Sequence, residues 1–176
     1  MAYTTPTRYC EEVGFDEARG QLLDDGRVLT VDLLHQVLAV VAGGAWAPTA
    51  TLPERVAAMA AHDRLVRKLG TVSNYMDGYL RGAVALPLPM GDAALGTLDE
   101  CCVALARDEL ASDSDMSTEL IVKRADRWRK WLVDISNKTV QLVSATTDTG
   151  TTFGSGKVLT GQAKSGFDWQ SFGAVR

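Results

Sequence analysis

From Pro53 to Gly82 the chain reads PERVAAMAAHDRLVRKLGTVSNYMDGYLRG, in which Leu65, Leu69, Val72, Met76 and Tyr79 recur at spacings of four, three, four and three. That rhythm places one apolar stripe along an α-helix. Pro53 suits the first turn, and Glu54 suits the positive end of the helix dipole. Gly70 sits inside the pattern at a cost of about 1 kcal/mol relative to alanine, which leaves room for a local break there. The helix then closes at Gly82. The following AVALPLP segment cannot continue it, because Pro87 and Pro89 lack backbone donors and hold their predecessors extended. A long helix running into a stiff apolar elbow at Leu86, Pro87, Leu88 and Pro89 is an architectural feature with no catalytic group in it.

The rest of the chain reads as companions for that helix. Pro6 leads into a short helix around Thr7 to Val13. Asp24 to Arg27 is a turn signal. Val31, Leu34, Leu38 and Val41 give a helix ending at Gly43-Gly44, and Ala45 to Leu52 reads as a loop. A further helix over Ala93 to Leu110 turns Leu98, Cys101, Cys102, Leu105 and Leu110 inward. Another, Ser117 to Asn137, aligns Leu120 or Ile121 with Ala125, Trp128, Leu132 and Ile135. The expectation is a mainly α protein, a small bundle of about four helices over residues 1–143, with Pro53–Arg81, Ala93–Leu110 and Ser117–Asn137 mutually packed. Residues 144–176 contain six glycines and ten Ser or Thr, with Phe153, Phe167, Trp169 and Phe172 among them. They read as an extended arm, mobile in the free subunit, whose aromatics fill pockets on a partner.

Function classes fall away in turn. A net charge of -4 argues against a dedicated nucleic-acid binder. The three cysteines, Cys10, Cys101 and Cys102, lack a CxxC and read as reduced core thiols, not as a zinc site or disulfide framework. Asp99 and Glu100 decorate the solvent side. His62 and Asp63 are sequence neighbours and cannot share a helical face as metal ligands. The segment Gly150 to Val158 fails as a phosphate loop: five residues separate Gly150 from Gly156-Lys157, and Val158 stands where Ser or Thr would hold magnesium. No cofactor or metal is expected. The start has no basic stretch followed by an apolar block, and Val37 to Pro48 is too short to span a bilayer, so a soluble cytoplasmic protein is expected. The basic stretch Lys123 to Trp131, KRADRWRKW, has cations interleaved with tryptophans that would suit base stacking. Helical phase instead makes Trp128 core, puts Trp131 beside it, and places the cations mostly on the opposite face.

Several segments resemble the Mu-like phage gp36 family. Asn74 to Pro89, NYMDGYLRGAVALPLP, is similar to that family's helix end of Ile-Asp-Gly-Tyr-Leu followed by Leu-Pro-Leu. Met76 takes the Ile position, Asp77, Gly78, Tyr79 and Leu80 match, and so do Leu86, Pro87 and Leu88. MAYTTPTRYCEEVG resembles its extended start and short helix. RADRWRKWLVDISNKTVQL resembles its closing helix, with a turn into a strand, and SGFDWQSFGAV resembles its tail.

The resemblance implies a head-tail connector adaptor, a non-enzymatic structural protein of the virion neck assembled in the host cytoplasm. Such a protein forms a homo-oligomeric ring, usually dodecameric, under the portal protein. It receives the stopper or tail-completion protein, and DNA passes through its lumen without specific binding. The elbow (Leu86, Pro87, Leu88, Pro89) and the arm aromatics (Phe153, Phe167, Trp169, Phe172) would be its partner contacts, and the arm would be partly β. The alternative is a small nucleic-acid-binding or regulatory module using Lys123 to Trp131.

Overall fold

The computed structural model describes residues 2–22, 28–89, 91–92, 94–140 and 142. Six helices occur among them: α1 (Pro6–Val13), α2 (Phe15–Leu22), α3 (Val31–Val41), α4 (Leu52–Leu80), α5 (Ala94–Asp113) and α6 (Glu119–Ser136). The Asp24–Arg27 turn, the Gly150–Val158 loop and the arm with Phe153, Phe167, Trp169 and Phe172 lie outside the described residues.

Local chemistry sets the helix ends. Thr5, Thr30 and Thr118 each accept a hydrogen bond from the third backbone N–H beyond, at 3.2–3.4 Å, and so cap α1, α3 and α6. At α4 the Glu54 carboxylate accepts from both the backbone N–H and the hydroxyl of Thr51, each at 2.7 Å. These bonds hold its pKa below the usual carboxylate value. Asp92 accepts from Ala94 N–H at 2.9 Å where α5 begins.

The C-terminus of α3 is a Schellman turn. Gly44 N–H reaches Ala39 O at 2.9 Å and Gly43 N–H reaches Val40 O at 3.0 Å, with Gly43 at φ 99. A side chain at Gly44 would meet Ala39 O at 2.9 Å, so glycine is required by space as well. α6 ends in the same motif, with Thr139 N–H to Asp134 O at 2.9 Å and Lys138 N–H to Ile135 O at 2.8 Å, but here Lys138 holds the left-handed position at φ 60.

The expected three-helix bundle is present: α4, α5 and α6 all pack on one another, α3 covers α4, and α1 and α2 pack on α4 and α5. α5 is its centre. Leu98, Cys101, Cys102, Leu105 and Leu110 are buried as expected, and so are Val103, Ala104, Ala106 and Ala111. Burial on that many sides is why its outward face is hard to find in the sequence.

The expected mainly α fold is present, with two differences, the number of helices and the buried face of α3. Six helices stand where about four were expected, since Phe15–Leu22 is a further helix beside the expected N-terminal one. α4 is the expected long helix and runs unbroken through Gly70. α3 buries Leu33, Leu34 and Val37 and exposes Val41, a face rotated from Val31, Leu34, Leu38 and Val41. The strand expected after α6 and the partly β arm fall mostly outside the described residues.

Candidate functional site

The elbow forms where α4 runs out. Ala83 and Val84 N–H both donate to Leu80 O at 2.9 Å, closing a turn before the chain extends through Leu86–Pro87, a cis peptide. Leu88 is buried in the subunit's own core, Leu86 is half-buried against it, and Pro87 and Pro89 are exposed. The link therefore anchors by its leucines and shows its prolines outward.

Beside it lies a largely apolar groove of about 760 Å³, bordered by Tyr3, Arg81, Val84, Leu86, Pro87 and Leu95. The extended N-terminal segment makes one wall. Tyr3 N–H donates to Ser73 Oγ at 3.1 Å, and the Tyr3 hydroxyl donates to Asp77. Burial and the Asp77 carboxylate push the tyrosine's pKa well above its ordinary value. Asp77 of the quoted Met-Asp-Gly-Tyr-Leu motif thus clamps the N-terminus to α4, Leu80 fills the core, and Tyr79 bonds Tyr75 hydroxyl to hydroxyl at 3.1 Å. Gly78 meets nothing: no atom lies within 4 Å of where its Cβ would stand.

α4 also carries a second stripe that the sequence reading missed. Leu52, Val56, Met59 and Val66 are 74%, 61%, 38% and 44% exposed. They follow steps of four, three and seven, with Asp63 and Gly70 in the same row, roughly a third of a turn from the buried face. Trp46 flanks its start, under the Arg55 guanidinium at 6.0 Å. The signal was available as a second helical period in the same thirty residues, hidden because the stronger one satisfied the core.

On α6 the tryptophans are not arranged as expected. Trp128 is half-buried, not core, and meets Trp131 edge-on with centroids 5.2 Å apart. Arg124 and Arg127 line a recess of about 350 Å³ together with both indoles, so these cations share the tryptophans' side of the helix. Arg129 points the other way, to Asp108 at 2.6 Å and Asp126 at 2.9 Å.

Groups suited to chemistry are tied into packing. Cys10, Cys101 and Cys102 are buried, and burial pushes the thiols of Cys10 and Cys102 up to about 12 and about 11. A thiol held that firmly protonated is a poor nucleophile. Asp99, expected on the solvent side, is half-buried at the surface, where it accepts from Arg8 of α1 at 3.1 Å. Tyr9, Gln21, Glu17 and Arg107 form a chain of hydrogen bonds ending in a paired Arg107–Glu17 contact at 2.6 Å on each arm. His35 stacks on Phe15 at 3.6 Å. His62 and Asp63 come closer than their helical positions suggested, Nδ1 to Oδ1 3.5 Å, yet without hydrogen-bond geometry. Among the described residues no group of three or more His, Cys, Asp or Glu is placed to hold a metal ion, and no helix is long and apolar enough to cross a membrane.

Residues 34–159 match the family described as Bacteriophage Mu, Gp36, a span that takes in α3 from Leu34 on, α4 to α6 and the elbow. Neither the curated proteins nor the solved structures gave a match.

Proposed function

The chain belongs to the Bacteriophage Mu Gp36 family, and from that premise we propose that it is a structural virion protein, the head-tail connector adaptor of a tailed phage. In this reading copies of the subunit form a ring, pictured as dodecameric, beneath the portal protein. The ring receives the stopper or tail-completion protein below and leaves an axial passage for DNA. The role is one of position and contact, without catalysis.

The observation that carries the reading is the outer stripe of α4 (Leu52, Val56, Met59, Val66) on a chain of this family. A face of exposed apolar side chains along a rigid helix is what a neighbouring subunit would cover. Gly70 and Gly78 on the same helix have no neighbour at their Cβ positions within the subunit, which leaves room for close approach from outside. The exposed Pro87 and Pro89 give the elbow a stiff edge for the portal or the next connector, with Leu86 and Leu88 holding it from within. Phe153, Phe167, Trp169 and Phe172 would reach partners across subunit boundaries.

Co-expression with the portal of the same phage, followed by electron microscopy of the purified complex, tests this. The expected result is a closed ring of the chain stacked coaxially on the portal. A stable two-fold dimer that ignores the portal would overturn it, since an isologous contact does not by itself build a ring.

A further inference from the structure

The outer flank of α6 separates its cations into two sets. Lys123 pairs with Glu119 at 2.6 Å and Arg129 with Asp108 and Asp126. Arg124, Arg127 and Lys130 are exposed and have no acidic partner among the described residues. They stand three residues apart, each about 4.5 Å further along the helix axis. Arg124 and Arg127 border the recess that Trp128 and Trp131 floor, and both also border a second recess beside Leu120, which is 80% exposed. In a chain of net charge -4, a local run of free cations is a departure from the rest of the surface.

We propose that this flank of α6 binds the phosphodiester backbone of nucleic acid, with Arg124, Arg127 and Lys130 on phosphates and the two indoles, beside Arg124 and Arg127, against the sugars. Guanidinium groups bond phosphate oxygens with two donors at once, and indoles supply an apolar platform that is indifferent to sequence. An acidic protein surface would satisfy the same cations, and the salt slope of duplex binding separates the two occupants. The proposal goes beyond the connector reading and stands without it; where both hold, this flank faces the passage through the ring.

Fluorescence anisotropy of a labelled 20-base-pair duplex with the full chain, at 50 to 200 mM salt, tests it. Three phosphate contacts predict a log–log salt slope of about -2.7, so affinity should fall about 40-fold across that range. Arg124→Gln/Arg127→Gln removes two contacts and should cut the fall to about 3- to 4-fold. Arg67→Gln, an exposed cation on α4, should leave the slope unchanged, and circular dichroism checks that each variant is folded. Three results would overturn the proposal: no binding at 50 mM salt, a slope indifferent to the double substitution, or an equal effect from Arg67→Gln. If the double variant fails to assemble with the portal while the unaltered chain binds no duplex, the flank belongs to an acidic protein surface instead.

Discussion

Cys102 sits between Ser73, 3.6 Å from its sulfur, and the rest of the core, and burial raises its pKa from 9.0 to about 11. Between those values the unfolded chain releases the thiol proton while the folded one keeps it. The folded state then binds more protons, so stability falls as pH rises. The loss begins near pH 9 and continues toward pH 11, at about 1 kcal/mol per pH unit for each such thiol; Cys10, raised to about 12, adds to it. Thermal melts should be flat from pH 6 to 8 and fall steeply above 9, and Cys102→Ala should lessen the slope above pH 9 whatever it does to the melting temperature at neutral pH. A second residue carries a conformational cost. Lys138 holds φ 60 in the Schellman turn that closes α6, a region in which an L side chain crowds the backbone by roughly 1–2 kcal/mol. Glycine there is more flexible when unfolded, which gives part of that back. Lys138→Gly should therefore raise stability by about 0.5–1 kcal/mol, measured by urea titration.

At the scale of elements, the long helices were legible because their apolar residues are sparse enough to set a phase. Leu65, Leu69, Val72 and Met76 are separated mostly by polar residues, and all four are buried. α3 is the opposite case. VDLLHQVLAVV is apolar almost all round, so several faces fit equally well and the one chosen was rotated from the buried Leu33, Leu34 and Val37. α2 gave no period, since its buried set includes Ala18 and Gln21 beside Leu22. Its place is fixed by Glu17 meeting Arg107 ninety residues away, a pairing no local pattern carries. The same holds for Arg8–Asp99 and for the recess on α6, where the two-sided division of the cations depends on where Asp108 lies. α4 offers a test at this scale. Gly70 and Gly78 have open space at Cβ, so Gly70→Ala and Gly78→Ala should each stabilise the isolated subunit by about 0.5–1 kcal/mol, read as a higher melting temperature. That these glycines persist in a 29-residue helix at such a cost is intelligible if another surface approaches them. Gly78→Ala would then impair ring assembly while making the subunit more stable, and a variant that is both more stable and fully competent would show that no neighbour comes close there.

For the whole molecule, the proposed assembly would have the two stripes of α4 divide the labour between folding and association. The inner one (Leu65, Leu69, Val72, Met76, Leu80) packs against α5 and α6 and makes the subunit self-sufficient. The outer one (Leu52, Val56, Met59, Val66) contributes nothing to that core, and its exposure is a cost the free subunit bears. Asp63 interrupts the outer row, which weakens its self-association in the absence of a partner that can take the charge. Free subunits should accordingly sediment as monomers at tens of micromolar and close into a ring only on the portal, which supplies the template. Placing a charge in the row separates the two roles. Val56→Asp and Val66→Asp lie on exposed positions, so each should change folding stability by no more than about 0.5 kcal/mol. A buried, unpaired carboxylate at a subunit contact costs several kcal/mol per copy, repeated at every contact around the ring, so assembly on the portal should be lost. Melting curves and electron microscopy of portal complexes read the two quantities independently. If Val56→Asp subunits still assemble at normal yield, the outer stripe is not the contact between subunits and the ring is built through another face.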